Sequence, residues 1–497
     1  ATMLLLSGNS QATASSHDDG NPNTFTLESV NEMNTVDLVE KVIPTVVYIY
    51  MEKNLSAGNE GFGGLMPEAP KPQAGVGTGF FINDHRESGT YYWPDGRYRT
   101  GVELETPKEL NGKEYDFVVY GATGFTGKLV VEYLVEKYSN DSEITWALAG
   151  RNHEKLKSVA ESIGVPENTE LLVVDSNDVS SIEGLVSKTK CVLTTVGPYQ
   201  LYGDHIVAAC AKSGTDYVDL CGEPGWMHEK INEQGDIAKK SGSRIVFSCG
   251  FDSIPFDLGV LFLQNEVIKR HGKPSSSVRG RVREMNGEFS GGTAASLGAT
   301  MAALKEKPEL FAVLANPFAL SDGFAGPEQP VDNKPMLDEK LDTWVAPFFM
   351  APINTKNVHR SNALMNHMYG DDFCYNEMWI MGSGDEGKAA ADAVSSANPL
   401  SDAPEPGEGP SRESRENGNY DVLFCGDINE ESVHVSVSGD MDPGYGSTSK
   451  MIAESAICLV KECTDLDGGI YTPAPSMGTK LIKRLQDNAG LTFKIEN

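Results

Sequence analysis

The chain has 497 residues, enough for two or three domains that each bury a core of their own. Its 71 Asp and Glu outweigh 41 Lys and Arg, and the net charge of -30 argues against a nucleic-acid partner, since no basic surface is there to meet phosphates. Eight scattered cysteines without a C-x-x-C pair read as free thiols of a reducing compartment, not as a disulfide framework or zinc site, so no metal is expected.

The chain opens with ATMLLLSGNSQATASS, whose apolar patch is brief and lacks a basic flank, too short for a signal peptide. Nowhere does an apolar run approach the length of a bilayer span. The expectation is a soluble or peripheral protein of the cytoplasm or of an organelle stroma or matrix. Residues 1–35, rich in Ser, Asn, Thr and Gly, are expected to lack fixed structure. A short helix and a β-branched strand over 45–50 follow, then a glycine-rich loop and GVGTGFFIND at 75–84. That piece resembles the opening of the DegP/HtrA proteases. His85 stands outside a suitable motif and no G-x-S-G-G nucleophile turn follows, so a non-catalytic remnant is expected. Residues 86–110 read as a turn-rich hairpin or linker, closing a 36–110 region without clear chemistry.

From residue 111 apolar strands alternate with helical segments, which predicts an α/β fold with a Rossmann-type doubly wound parallel sheet over 111–277. Its organising stretch is YDFVVYGATGFTG followed by KLVVEYLVEKY: a strand, a glycine turn and a helix start. Glycines let the backbone turn sharply and approach a pyrophosphate, and the helix N-terminus offers N–H groups to it. The candidate cofactor-binding residues are therefore Gly121, Ala122, Thr123, Gly124, Phe125, Thr126 and Gly127. The competing reading is a glycine turn that serves packing alone.

After ITWALAG, an NAD-preferring site places an acidic residue for the ribose 2′-OH; here Arg151 stands instead. An arginine suits a 2′-phosphate, so NADP(H) is the expected cofactor, against the plain reading of a surface arginine at a helix start. The third strand ends at Asp175, where a carboxylate can meet the adenine edge. The fourth runs into Gly197 and Pro198, placed near the nicotinamide by the rule that ligands lie beyond the carboxyl ends of the strands.

Taken together, GATGFTG, AGR, TTVGPYQLYGDHIVAACAKSGTDYVDLCGE and CGFDSIPFDLG resemble the saccharopine dehydrogenase-like oxidoreductases. That group includes trans-acting enoyl reductases of bacterial lipid synthesis and eukaryotic relatives associated with lipid droplets. SGGTAAS, DPGYGSTSKMIAESA and the tail GGIYTPAPSMGTKLIKRLQDNAGLTF extend the resemblance from about 115 to the end. It implies an NADP(H)-dependent reductase of an enoyl or acyl lipid-type substrate, contact with a membrane or lipid-droplet surface, and a homodimer. Residues 278–497 are then an α+β substrate and dimerisation domain. Within it, the acidic, low-complexity stretch 381–419 is expected to be a disordered insert. The apolar run LDTWVAPFFMAPI would suit an acyl tunnel, though ordinary core is the simpler account.

Such a reaction needs a proton donor beside the nicotinamide. Tyr199, Tyr202 and His205 are the candidates, with Glu223 and Asp252 on loops at the same edge. Tyr133 and Lys137 spell Y-x-x-x-K, but on the first helix, away from any substrate. The rival class is a non-catalytic nucleotide-binding scaffold, associated with a larger assembly or lipid surface.

Overall fold

A computed structural model describes residues 89–92, 98–102, 112–288, 291–396 and 408–497. Residues 1–35 and the protease-like stretch at 36–85 lie outside the described residues. Two compact units divide the chain at 106/107. In the first, β1 (Gly89–Tyr92) and β2 (Tyr98–Val102) form an antiparallel pair.

The second unit begins with β3 (Tyr115–Tyr120), buried from its second residue onward. Helices cover both faces of its sheet, which is why the strand reads as a continuous apolar run instead of an alternating one. Then follow α1 (Phe125–Tyr138), β4 (Trp146–Gly150), α2 (His153–Ile163), β5 (Leu171–Val173), α3 (Val179–Lys188) and β6 (Thr189–Thr194). Local chemistry sets the ends of α2. The Asn152 side chain accepts from the Lys155 N–H at 2.9 Å, and the helix stops at Gly164, whose φ is +78°. Two short helices, α4 (Tyr199–Tyr202) and α5 (Asp204–Ser213), lead to β7 (Asp216–Val218), α6 (Pro224–Ser241), β8 (Arg244–Val246) and α7 (Ile254–His271).

The chain then builds a second layer: β9 (Ser277–Asn286), α8 (Gly291–Glu306), α9 (Leu310–Ala315), β10 (Met336–Asp338), β11 (Thr343–Pro347) and α10 (Ala351–Leu364). It continues with β12 (Cys374–Gly382), α11 (Gly384–Ser396), α12 (Arg412–Glu416), β13 (Asn419–Ile428) and β14 (Glu431–Gly439). A π-helical turn at Pro443–Ser447 precedes α13 (Thr448–Lys461), β15 (Gly469–Tyr471), α14 (Pro473–Ser476), α15 (Gly478–Asn488) and β16 (Leu491–Ile495).

The first sheet has the order β15-β8-β7-β6-β3-β4-β5 and is parallel throughout, the doubly wound α/β order with one strand added. Its switch point, where the order reverses, lies between β3 and β6. The second sheet is mixed, in the order β10-β11-β12-β9-β13-β14-β16. Helix α7 joins the layers closely: an added Cβ on Gly259 would stand 2.4 Å from the Phe424 ring on β13.

Two expectations need correction. The span 278–497 is not one domain, because β15 returns to the first sheet and pairs with β8, Ile470 opposite Ile245. Helix α13 returns with it, and Glu454 there accepts from the Tyr133 hydroxyl of α1 at 2.6 Å. Without β15, β8 would present an open edge. Nor is the acidic stretch from 381 all solvated loop: α11 occupies 384–396. Its alanine-rich centre favours helix, and Gly387 lets it approach so closely that a Cβ would lie 2.0 Å from the Gly382 carbonyl oxygen. Residues 397–407 lie outside the described residues. In LDTWVAPFFMAPI, Val345, Ala346, Phe348, Ala351 and Ile353 are buried core.

Candidate functional site

The turn after β3 follows from three glycines in three different settings. Gly121 has a φ of +97°, and a Cβ on it would meet Thr195 Oγ1 at 2.7 Å and Val196 Cγ2 at 2.9 Å. Gly127 lets α1 lie on the turn, since a Cβ there would come within 2.1 Å of the Gly121 carbonyl oxygen. Gly124 is exposed, with only that same oxygen near its open side, at 3.3 Å. The turn is tied down from behind, with the Gly121 and Ala122 N–H groups both donating to the Ala149 carbonyl, at 3.0 and 3.2 Å. The first intrahelical bond runs from the Lys128 N–H to the Gly124 carbonyl, so the N–H groups of Phe125, Thr126 and Gly127 point out of the helix end. No acidic side chain occupies that first turn. A bare-backbone cradle before an uncapped helix N-terminus fits a dinucleotide pyrophosphate. The Phe125 ring turns away from it, edge-on to Tyr445 at 5.3 Å and near the Arg415 guanidinium.

At the next strand ends Arg151 and Asp175 both come close enough to Tyr120 for their charges to act on its phenol. Burial pushes the Tyr120 phenol up to about 12, with the Ser176 hydrogen bond and the charges of Asp175 and Arg151 acting as smaller influences. Arg151 is exposed. Asp175 is exposed too, although its Oδ1 accepts from the Asn177 N–H at 3.0 Å and so shapes its own turn. Thr123 lies beside this end, its Oγ1 3.7 Å from where a Cβ of Gly150 would be.

Across the switch point, Gly197 and Pro198 lead into α4. The three donor candidates differ sharply here. Tyr199 is buried; its hydroxyl donates to the Thr194 carbonyl at 3.3 Å and accepts from the Leu220 N–H at 3.0 Å. Burial drives its phenol well above the usual tyrosine range. Its role in this geometry is to tie two strand ends together. Tyr202 and His205 sit exposed on the rim. Glu223 holds the loop from below, its two carboxylate oxygens accepting from the Tyr199 and Gln200 N–H groups, both at 2.9 Å. From the second layer, α8 forms a roof: Thr300 Oγ1 accepts from Gln200 Nε2 at 3.3 Å, and Ser296 stands over Gly197. A small cavity under this roof is lined by Gln200, Glu223, Trp226, Thr300, Leu304 and Leu314.

Sequence reasoning missed what lies deeper. Asp219 staples the ends of β7 and β8, accepting from the N–H groups of Cys221 and Ser248 at 3.0 and 2.9 Å, and burial raises it to about 7. Cys221 is buried beside it, and burial pushes its thiol well above the normal value. Helix α10 reads PINTKNVHRSN, polar on every side, yet nearly all of it is buried. Lys356 illustrates the consequence: burial lowers it to about 8 while its Nζ donates to the Leu314 and Pro352 carbonyls at 2.8 and 3.1 Å. The only warning in the sequence was a polar helix between apolar flanks, a pattern that usually marks a solvated surface.

Residues 117–246 match the family described as the saccharopine dehydrogenase NADP binding domain. A trans-acting enoyl reductase of Mycobacterium ulcerans is 32% identical over 403 residues, covering 75% of this chain and 96% of its own. A Mycobacterium tuberculosis protein named for the same activity is 36% identical over the same shares of both chains. Among solved structures, apo saccharopine dehydrogenase (L-Glu forming) from Saccharomyces cerevisiae aligns with 76% of this chain and 98% of its own, at 12% identity and a TM-score of 0.44. Among the described residues no helix is long and apolar enough to cross a membrane.

Proposed function

We propose that this chain, which belongs to the saccharopine dehydrogenase-like oxidoreductases and is an NADP(H)-dependent enzyme, reduces the carbon–carbon double bond of an acyl enoyl thioester. The bound nicotinamide supplies the hydride. The backbone of Gly121–Gly127 holds the pyrophosphate, and Arg151 holds the 2′-phosphate. Asp175 meets the adenine edge, and Gly197 and Pro198 line the nicotinamide end.

The observation that carries the reading is the roof. Ser296 and Thr300 of α8 stand over Gly197 and Gln200, closing the site where water has to be kept out. Leu304 and Leu314 give the cavity under it an apolar side, and Leu201, Met301 and Phe311 are exposed on the same three helices. An acyl chain suits such walls. Tyr202 and His205, on the rim, are placed to orient the thioester head.

Titration of the purified protein with NADPH and with NADH, followed by tryptophan fluorescence, tests the cofactor half. Arg151→Ala is expected to weaken NADPH about 10- to 100-fold, the value of a charge-assisted phosphate contact, and to leave NADH unchanged. Oxidation of NADPH on addition of trans-2-enoyl thioesters tests the substrate half. A nucleotide-binding scaffold predicts tight NADPH binding with no oxidation by any of them, and that outcome would remove the reductase reading.

A further inference from the structure

Where the start of α7 meets α10 and β12 lies a polar cluster with no part in the reaction as described so far. Asp252 stands in the turn between β8 and α7. The turn is rigid, with the Phe251 N–H donating to Thr448 Oγ1 and the Ser253 N–H to the Ser248 carbonyl, both at 2.9 Å. Gly250 of the same turn lies against Leu220, whose N–H holds the Tyr199 hydroxyl, so Asp252 stands at the carboxyl edge of the first sheet. The residue keeps partial access to solvent, yet its Oδ1 is sealed off without a hydrogen-bond partner among the described residues.

Helix α10 brings two fully buried asparagines, one turn apart, to this place. Asn357 Nδ2 donates to Ser253 Oγ at 2.7 Å, and Asn354 Nδ2 donates to Glu377 Oε2 at 2.9 Å. The Oδ1 of each has no partner among the described residues. Glu377, on β12 and fully buried, also accepts from the Tyr375 hydroxyl at 2.8 Å. Three acceptor oxygens without donors beside two carboxyls do not make a finished structural network. Ordered water or a proton on a carboxyl is what satisfies such groups.

The charges around the cluster favour the proton. Lys356 turns its Nζ to the Leu314 and Pro352 carbonyls, and Arg281 pairs with Asp338 at 2.8 Å. Asp257, on α7, has its carboxylate taken by Ser361 and the Ala474 N–H. Lys450, on α13, reaches toward Asp440. Among the described residues no cation is left to neutralise Asp252 or Glu377. Burial raises Asp252 to about 7, and it raises Glu377 well above the carboxylate range, reinforced by the charges of Asp252 and Asp332.

We propose that Asp252 is the catalytic proton donor of the reduction, its proton replaced through water held by the Asn354 and Asn357 oxygens. This rests on the enoyl reduction proposed above. Hydride adds to the β-carbon of the enoyl thioester, and the electron pair of the double bond moves to form an enolate. Asp252 gives its proton to the α-carbon, the O–H electron pair stays on the carboxylate, and solvent returns a proton through the cluster. The net change is one NADPH and one proton consumed per double bond.

The test uses the full chain with NADPH and trans-2-octenoyl-CoA. Asp252→Asn is expected to bind NADPH as the wild type does, keep KM within about twofold, and lose about 100-fold or more in kcat, the usual range for a general acid. Since the donor acts protonated, wild-type kcat should be full at low pH and fall as pH rises through the donor's pKa, and this limb should vanish in the variant. Wild-type kcat and pH profile retained in Asp252→Asn would overturn the proposal. If the wild type leaves octenoyl-CoA unreduced, the substrate reading fails separately, and infrared difference spectra of the NADPH complex across pH decide the acid. A protonated-carboxyl band that titrates near neutrality and is absent in Asp252→Asn supports it, and no such difference overturns it. Should that variant not bind NADPH, Asp252→Glu replaces it. The same band moves if this carboxyl holds the proton and stays in place if it does not.

Discussion

Gly127→Ala sets two effects of opposite sign against each other. Gly127 lies in the first turn of α1, where helix propensity alone makes alanine the better residue by up to about 1 kcal/mol. Sterics point the other way. A Cβ at Gly127 would stand 2.1 Å from the Gly121 carbonyl oxygen, against an ordinary C···O approach of about 3.3 Å, so helix and turn have to part by roughly 1.2 Å. The obstructing atoms are backbone and cannot rotate aside. Overpacking of this kind costs about 1–3 kcal/mol, which outweighs the propensity gain, and the movement falls on the turn that meets the pyrophosphate. A lower melting temperature is expected, with NADPH weakened about tenfold or more, or ~1.4 kcal/mol. Gly164→Ala is the control. Its φ is +78° with no atom within 4 Å of the new Cβ, so it carries only left-handed backbone strain of about 1–2 kcal/mol and leaves NADPH binding alone. Thermal unfolding with and without NADPH, together with calorimetric titration, reads both variants. A Gly127→Ala protein that melts above wild type and binds NADPH as tightly would refute the reasoning.

Two further variants probe the layers around the site. Glu223→Gln leaves one acceptor where the Tyr199 and Gln200 N–H groups need two, at about 1–3 kcal/mol, so kcat/KM for an enoyl thioester should fall while NADPH affinity stays within about threefold. Unchanged kcat/KM would mean that the loop does not need this brace. Tyr133→Phe removes the hydroxyl that Glu454 accepts at 2.6 Å, in a buried group shared with Tyr138 and Arg484. Stability should drop by about 1.5–3 kcal/mol in denaturant melts, with turnover within about twofold of wild type. A large loss of turnover at wild-type stability would instead make Tyr133 and Lys137 catalytic.

The glycine turn was legible because its causes are local. A strand, a glycine that tolerates positive φ, an unhindered approach and a helix start all lie within residues 115–127, and each acts on its immediate neighbours in the chain. The same holds for the alternation of strands and helices up to 277, since burial of both sheet faces leaves its mark on every strand. The place of Arg151 one residue after β4 was legible in the same way.

Tertiary structure alone decided the rest. Sequence position cannot show that Gly469–Tyr471 closes the edge of a sheet begun at Tyr115, because the edge of β8 attracts any strand of suitable register, however distant in the chain. The locking of Tyr199 depends on Leu220 and Glu223, which come from another strand end. Helix α10 gives periodicity nothing to read, because periodicity contrasts apolar with polar faces. A polar helix buried by polar partners from α7, β12 and β15 leaves no such contrast. Asp252, Asn354, Asn357 and Glu377 are separated by up to 125 residues, and what makes them a candidate acid site is shared burial, which exists only once the two layers have closed on each other.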